Sequence, residues 1–282
     1  MKKLFSFVLL GLLGIWSVSC DDDDDNATPA PTEQQKQEYV EFILEEQLLL
    51  QEIGDLSLLF SDLVFNPGER ITECGEITYN ITNNSGTITV DYGSAGCTDE
   101  DGQVLKGKII YSYTLTNSNT SNAKLNSTIT FNNYSMDGNT IEGKIENELF
   151  YVTINSTTKI TNLKVKSAEG KNLTINSSTQ IFKQTAGMNT IDDETDDEFT
   201  FNITTNGVGT NGIAYTTKTT KDLLMKNACI FTENTNVAVS GTIEIKPVNY
   251  PTYTIDYGNG VCDNKITIQI GNAAPVEYTL DE

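Results

Sequence analysis

From residue 71 onward the apolar residues settle on a period of two, and that period limits the fold more than any other feature of the chain. Ile88/Val90, Leu163/Val165, Leu173/Ile175, Phe199/Phe201/Ile203, Val237/Val239, Ile243/Ile245, Tyr253/Ile255/Tyr257 and Ile266/Ile268/Ile270 all alternate with polar residues. Successive side chains of a strand point to opposite faces, so this pattern describes strands with one buried and one wet face. Asp137-Gly138, Glu169-Gly170, Asn206-Gly207 and Asn211-Gly212 supply turn chemistry between them. The expectation is a mainly β protein: a large antiparallel meander over residues 67–282, either one curved sheet or two packed sheets. Roughly eleven to thirteen strands are expected, and a sheet of that length has to curl.

Upstream the period is helical. Thr32-Glu33-Gln34-Gln35 has the form of a capping box, and Tyr39, Phe42, Glu46, Leu49, Ile53, Leu56, Phe60 and Leu63 then follow at spacings of three and four. Asn66-Pro67-Gly68 ends the pattern, and Gly54 is placed to split it. Residues 33–66 are therefore expected to form an amphipathic helical segment packed on the sheet. Extra apolar residues such as Val40, Ile43, Leu48 and Leu58 make the apolar face broader than a two-stranded seam requires, so a coiled-coil stalk is the lesser alternative.

Residues 1–19 have the form of a signal peptide: Lys2 and Lys3, an apolar run from Leu4 to about Trp16, then small residues before Cys20. That run is too short to span a bilayer. The pattern predicts lipidation at Cys20, with an ordinary cleaved signal as the alternative; Ser17 stands where leucine is commonest in such signals. Asp21–Asp25 and the following Asn-Ala-Thr-Pro-Ala-Pro-Thr make residues 20–32 an acidic, proline-containing tether.

Residues 87–97, TITVDYGSAGC, align with residues 252–262, TYTIDYGNGVC, at an offset of 165 with six of eleven positions identical. Each copy has an upstream cysteine, Cys74 or Cys229, and a following strand that opens on lysine, Lys108 or Lys265. With Cys20 set aside, four cysteines remain and three pairings are possible. The repeat favours Cys74–Cys97 with Cys229–Cys262, because each copy then closes its own loop. Each such loop would stabilise the fold by roughly 3 kcal/mol on chain-entropy grounds. Four thiolates around zinc is disfavoured, since no C-x2-C spacing occurs.

The runs GCTDEDGQVLKGKIIYSYT, STITFNNYSMDGNTIEGKIENE, ACIFTENTNVAVSGTIEIKP and TIDYGNGVCDNKITIQIG, in that order over about residues 70 to 280, resemble a family of Bacteroidetes (flavobacterial-type) cell-envelope lipoproteins with repeated D-Y-G-x-x-x-C elements. The resemblance implies a lipid-anchored, β-rich envelope protein and carries no activity with it. An aspartate after the lipidated cysteine favours inner-membrane retention in enteric-type bacteria. In Bacteroidetes-type bacteria an acidic run at this spot resembles the export signal for the outer face of the outer membrane. Five aspartates exceed what retention needs, so the expected location is the outer membrane, facing the cell exterior.

The chain contains no histidine, which removes the commonest general base, the His-dependent nucleophile pairs and the usual catalytic zinc sites. A formal charge of −21, more negative still without the leader, repels nucleic acid. Cys97-Thr98-Asp99-Glu100-Asp101-Gly102 invites a calcium reading, but aligned on its glycine the twelfth ligand position falls on Lys108. Ile191–Glu198 reads as a solvated acidic loop, with weak calcium binding or contact with a basic partner as the alternatives. Asp91 and Asp256, equivalent in the two repeats, are expected to bond backbone N–H groups of their turns. Residues 207–212 form a turn-rich linker without the lysine of a phosphate loop.

The residues therefore predict no catalytic group, no cofactor and no metal. The expected function is that of a non-enzymatic surface module, binding or structural, with a protein or glycan partner besides the membrane itself. Two alternatives stand beside it. A carrier of apolar ligand needs a cavity of several hundred Å³ under the helix. A carboxylate-based glycosidase needs two carboxyls about 5–10 Å apart in a cleft.

Overall fold

The computed structural model describes Phe60, Val64 and residues 74–279, apart from 100–101, 118–121, 151, 191–192 and 234–236. Strands β1 (Glu76–Ile81), β2 (Ser85–Asp91), β3 (Cys97–Thr98) and β4 (Val104–Thr116) come first. The long strands β5 (Lys124–Met136), β6 (Asn139–Phe150), β7 (Asn155–Lys166), β8 (Asn172–Ala186), β9 (Glu198–Val208) and β10 (Ala214–Lys226) follow. A short helix α1 (Asn227–Glu233) then leads to β11 (Ser240–Pro247), β12 (Tyr253–Asn259), β13 (Lys265–Ile270) and β14 (Val276–Thr279).

All belong to one antiparallel 14-stranded sheet whose spatial order is the chain order; only β3 leaves the path, pairing with β4 alone. The meander is thus a single sheet, one strand longer than expected because the two-residue β3 carries no alternation to read. Asp137 and Gly138 make the two-residue turn between β5 and β6, both at positive φ (50° and 83°) as a right-twisted hairpin requires. Two other expectations fail. Asn206-Gly207 lies inside β9, opposite Thr216 and Tyr215, and the turn is made by Gly209–Ile213 instead. Val237 and Val239 precede β11 rather than forming a strand.

The inner face follows the alternation. One register row runs Tyr79–Ile88–Tyr111–Ile129–Ile145–Ile160 across β1 to β7 and resumes as Ile245–Tyr253–Ile270 across β11 to β13. Between the two apolar stretches the same row reads Ser178–Thr205–Thr217, all buried. Buried hydroxyls need partners: the Ser178 and Thr205 hydroxyls bond each other at 2.8 Å. Thr219 Oγ1 accepts the Ile203 N–H at 2.9 Å, where a register shift in β10 removes the ladder acceptor. Asn147 Nδ2 donates to Ser156 Oγ and to Thr158 Oγ1, both at 2.8 Å.

A crease crosses the sheet. Register shifts fall at Gly107 against Asn133–Tyr134, at Gly143 against Asn162–Leu163, and at Asn176 against Asn206–Gly207. Asn162 stands opposite Asn176, and Asn176 Nδ2 donates to Asn206 Oδ1 at 3.3 Å, so the irregularities join into a line from β4 to β9. Each extra residue bends its strand and increases the local twist. A line of them curves the sheet as a whole.

Of the expected helical segment over 33–66, only Phe60 and Val64 fall among the described residues, and both are helical. Phe60 is 1% exposed and stacks on Tyr111 with ring centroids 5.1 Å apart and planes at 10°. Signal peptide, Cys20 and tether lie outside the described residues.

Candidate functional site: stapled corners and the outer face

The two cysteine pairs are Cys74–Cys97 and Cys229–Cys262, with Cα–Cα distances of 5.8 and 5.3 Å. The pairing favoured by the repeat is therefore the one present. Each disulfide encloses one hairpin, β1–β2 or β11–β12, with the Asp-Tyr-Gly element at the end of its second strand: Asp91 closes β2, and Asp256-Tyr257-Gly258 lies just before the last residue of β12. Asp91 Oδ1 accepts the Gly93 N–H at 2.9 Å and Asp256 Oδ1 the Gly258 N–H at 2.8 Å. Both aspartates hold their turns, as their symmetry suggested. The first corner adds an ion pair, Lys108 Nζ to Asp91 Oδ2 at 2.5 Å. The hydrogen bond from Lys108, then that from the Gly93 N–H, holds the Asp91 carboxyl below its ordinary value. The second corner departs from this: Thr267 stands opposite Asp256, and Lys265 pairs instead with Glu277 on β14 at 2.7 Å.

The acidic loops direct most of their described carboxylates at neighbours. Asp99 Oδ1 accepts the Gln103 N–H at 2.8 Å. Asp193 caps a single 3-10 turn, Glu194–Asp196, through the Thr195 N–H, and the bonds from Thr195 lower its pKa. Asp196 accepts from the Thr190 hydroxyl, and Asp197 from Gln184 Nε2 at 2.7 Å. No cluster of three or more Cys, Asp or Glu suited to a metal ion occurs among the described residues. Helix α1, which carries Cys229 and bonds the loop through the Asn227 N–H and Asp197 O (3.0 Å), was not legible. At seven residues it is too short for a helical period to show.

The outer face is the open surface of the molecule. One register row reads Asn80–Thr87–Ser112–Thr128–Glu146–Lys159 and continues Thr179–Thr204–Lys218–Glu244–Thr254–Gln269, so every position is polar. A second row reads Lys144–Thr161–Ser177–Asn206–Thr216–Lys246. Across β4 to β7 the face dips into an open groove of about 440 Å³ bordered by Ser112, Thr128, Glu146, Glu148, Thr157 and Lys159. A second shallow depression of about 420 Å³ lies between the β7–β8 and β9–β10 turns, beside Lys171 and Thr210.

Lysines gather on the middle of this face, with Glu142, Glu146 and Glu244 opposite Lys164, Lys159 and Lys218 at its borders. Strands β7 and β8 contain no Asp or Glu, yet carry Lys159, Lys164, Lys166 and Lys183. Strand β10 adds Lys218 and Lys221 against one acid, Asp222, which accepts from Asn202 at 2.8 Å. All six lysines are exposed, and none is ion-paired among the described residues. The period-two pattern implied this outer face, but the gathering of lysines on it required the register.

No helix among the described residues is long and apolar enough to cross a membrane. In comparisons with protein-family models, with curated proteins and with solved structures, nothing matches the chain.

Proposed function

We propose that the chain is a lipid-anchored module of the outer membrane, facing the cell exterior, that works by binding through the outer face of its sheet rather than by catalysis. The observation that carries this reading is the contrast between the two faces. The inner rows are buried, and Ser178 and Thr205 in their polar stretch bond each other, while the outer rows present polar side chains to solvent. Two disulfides outside the Cys20 motif fit a chain that matures in an oxidising space. The missing histidine supports a non-enzymatic role. The helical segment over 33–66 belongs on the inner face, a placement supported by the stacking of Phe60 on Tyr111.

Metabolic labelling with a palmitate analogue tests the anchor: label is expected on the wild-type chain and absent from Cys20→Ala. Protease treatment of intact cells is expected to shave the β domain. Resistance on intact cells, with cleavage only after lysis, would remove the surface location and with it this reading.

A further inference from the structure

We propose that the outer face of β7–β10 binds an anionic polysaccharide. Its lysines would meet the carboxylate or sulfate groups, and the hydroxyl and amide rows between them would bond the sugar hydroxyls. This rests on the reading of the outer face as the binding surface and names its ligand class.

The charge distribution is the first argument. The chain carries 39 acidic and 18 basic residues. Against that excess, Lys159, Lys164, Lys166, Lys183, Lys218 and Lys221 share one face of four neighbouring strands whose acids are Asp222, bonded by Asn202, and Glu198, paired with Lys226; of the acids flanking them on β6 and β11, Glu146 is held by Lys144 and Glu244 by Lys246. Spacing is the second argument. Lys159 and Lys218 terminate a stretch of one register row with Thr179 and Thr204 between them. At about 4.8 Å per strand the two lysines stand about 14 Å apart. That is too wide for one small anion and suits a polymer whose charges are separated by neutral hydroxyl-bearing groups. Duplex nucleic acid carries a charge every ~1.7 Å, far denser than this array. Stacking of single-stranded bases needs exposed rings, and the aromatics of these strands turn away: Phe182 and Phe199 stack on each other at 4.8 Å, and Phe201 and Tyr215 join the core cluster.

The test is binding of the full-length chain in detergent to polygalacturonate, to its methyl-esterified form with the same sugars and no charge, to polyglutamate and to anionic lipid vesicles. Polygalacturonate is expected to bind best and to weaken as ionic strength shortens the ~10 Å screening length of 0.1 M salt. Lys159→Glu/Lys218→Glu is expected to weaken it by at least about tenfold, equivalent to roughly 1.4 kcal/mol. Lys106→Glu/Lys265→Glu, with the same change of net charge elsewhere, should leave it unaltered. Thr179→Val/Thr204→Val keeps the strand and every charge and is expected to weaken polygalacturonate selectively. Circular dichroism establishes that each variant is folded. Absence of polygalacturonate binding at low salt overturns the ligand class, as does equal or tighter binding of polyglutamate or vesicles. Unchanged affinity in the folded Lys159/Lys218 variant overturns the site. Labelling at Cys20 and surface shaving involve no glycan, so the parent reading stands or falls separately.

Discussion

Asp91 uses its two carboxylate oxygens for different tasks, one bonding the turn it ends and the other meeting the neighbouring strand through Lys108. Its folded-state pKa is depressed below 3.8, so the associated stabilisation is present above the unfolded value and is lost as pH falls through the folded one. Lys108→Met removes the larger cause, and the NMR titration midpoint of the Asp91 carboxyl is expected to rise toward its ordinary value. Lys265 has the opposite sign: Glu277 raises it above 10.5, so its contribution is present below the unfolded value and disappears as pH climbs through the raised one. Glu277→Gln is expected to lower the Lys265 midpoint in the same experiment. Both pairs are exposed, so the readout is the titration itself and any change in global stability is small. At this scale the repeat disclosed the turn-holding role of Asp91 and Asp256. The partners Lys108 and Glu277 depended on strand register, which no single sequence displays.

Among the elements, the crease separates backbone that needs glycine from backbone that merely tolerates it. A Cβ on Gly143 (φ 129°) would sit 2.7 Å from Leu163 Cα and 2.8 Å from the Asn162 carbonyl oxygen, atoms that cannot swing aside. Gly212 (φ 78°) has nothing within 4 Å. Gly143→Ala is therefore expected to cost about 3 kcal/mol or more, with clash added to backbone strain, and Gly212→Ala about 1–2 kcal/mol from the left-handed backbone alone. Urea denaturation of both variants checks the order; equal losses would mean that the crease accommodates a side chain. Cys229→Ala/Cys262→Ala should lower stability by about 3 kcal/mol through the released loop, measured in the same way. Mid-strand Gly and Asn are the sequence mark of such bulges, and Gly107, Gly143 and Asn162 stand inside otherwise alternating runs. Asn206-Gly207 was misread because the same dipeptide chemistry serves a turn and a bulge, and only the pairing with Asn176 tells them apart. The disulfides were legible from the repeat; α1 was not.

For the molecule as a whole, chain order and spatial order coincide, and each strand's main contacts are with the strands beside it in sequence. Such topology favours local nucleation, with protection against opening that declines toward the margins. Amide hydrogen exchange is expected to be slowest in β5 to β10 and faster in β14, whose residues are all exposed. Uniform protection across the sheet would contradict this. Period two made the class and the meander legible. The strand count and the polar gap in the inner row were not, because Ser178, Thr205 and Thr217 read as outward-facing until pairing turns them inward.

The two stapled hairpins stand toward opposite margins of the sheet, and the long strands between them hold no covalent cross-link among the described residues. Nothing in this topology counts the middle. Inserting or excising one central up-and-down pair would conserve strand direction, facial alternation and both locks. The span between the ends is therefore an adjustable width, and the molecule's reach across whatever it touches can lengthen or shorten in hairpin-sized increments of about 10 Å without a new fold.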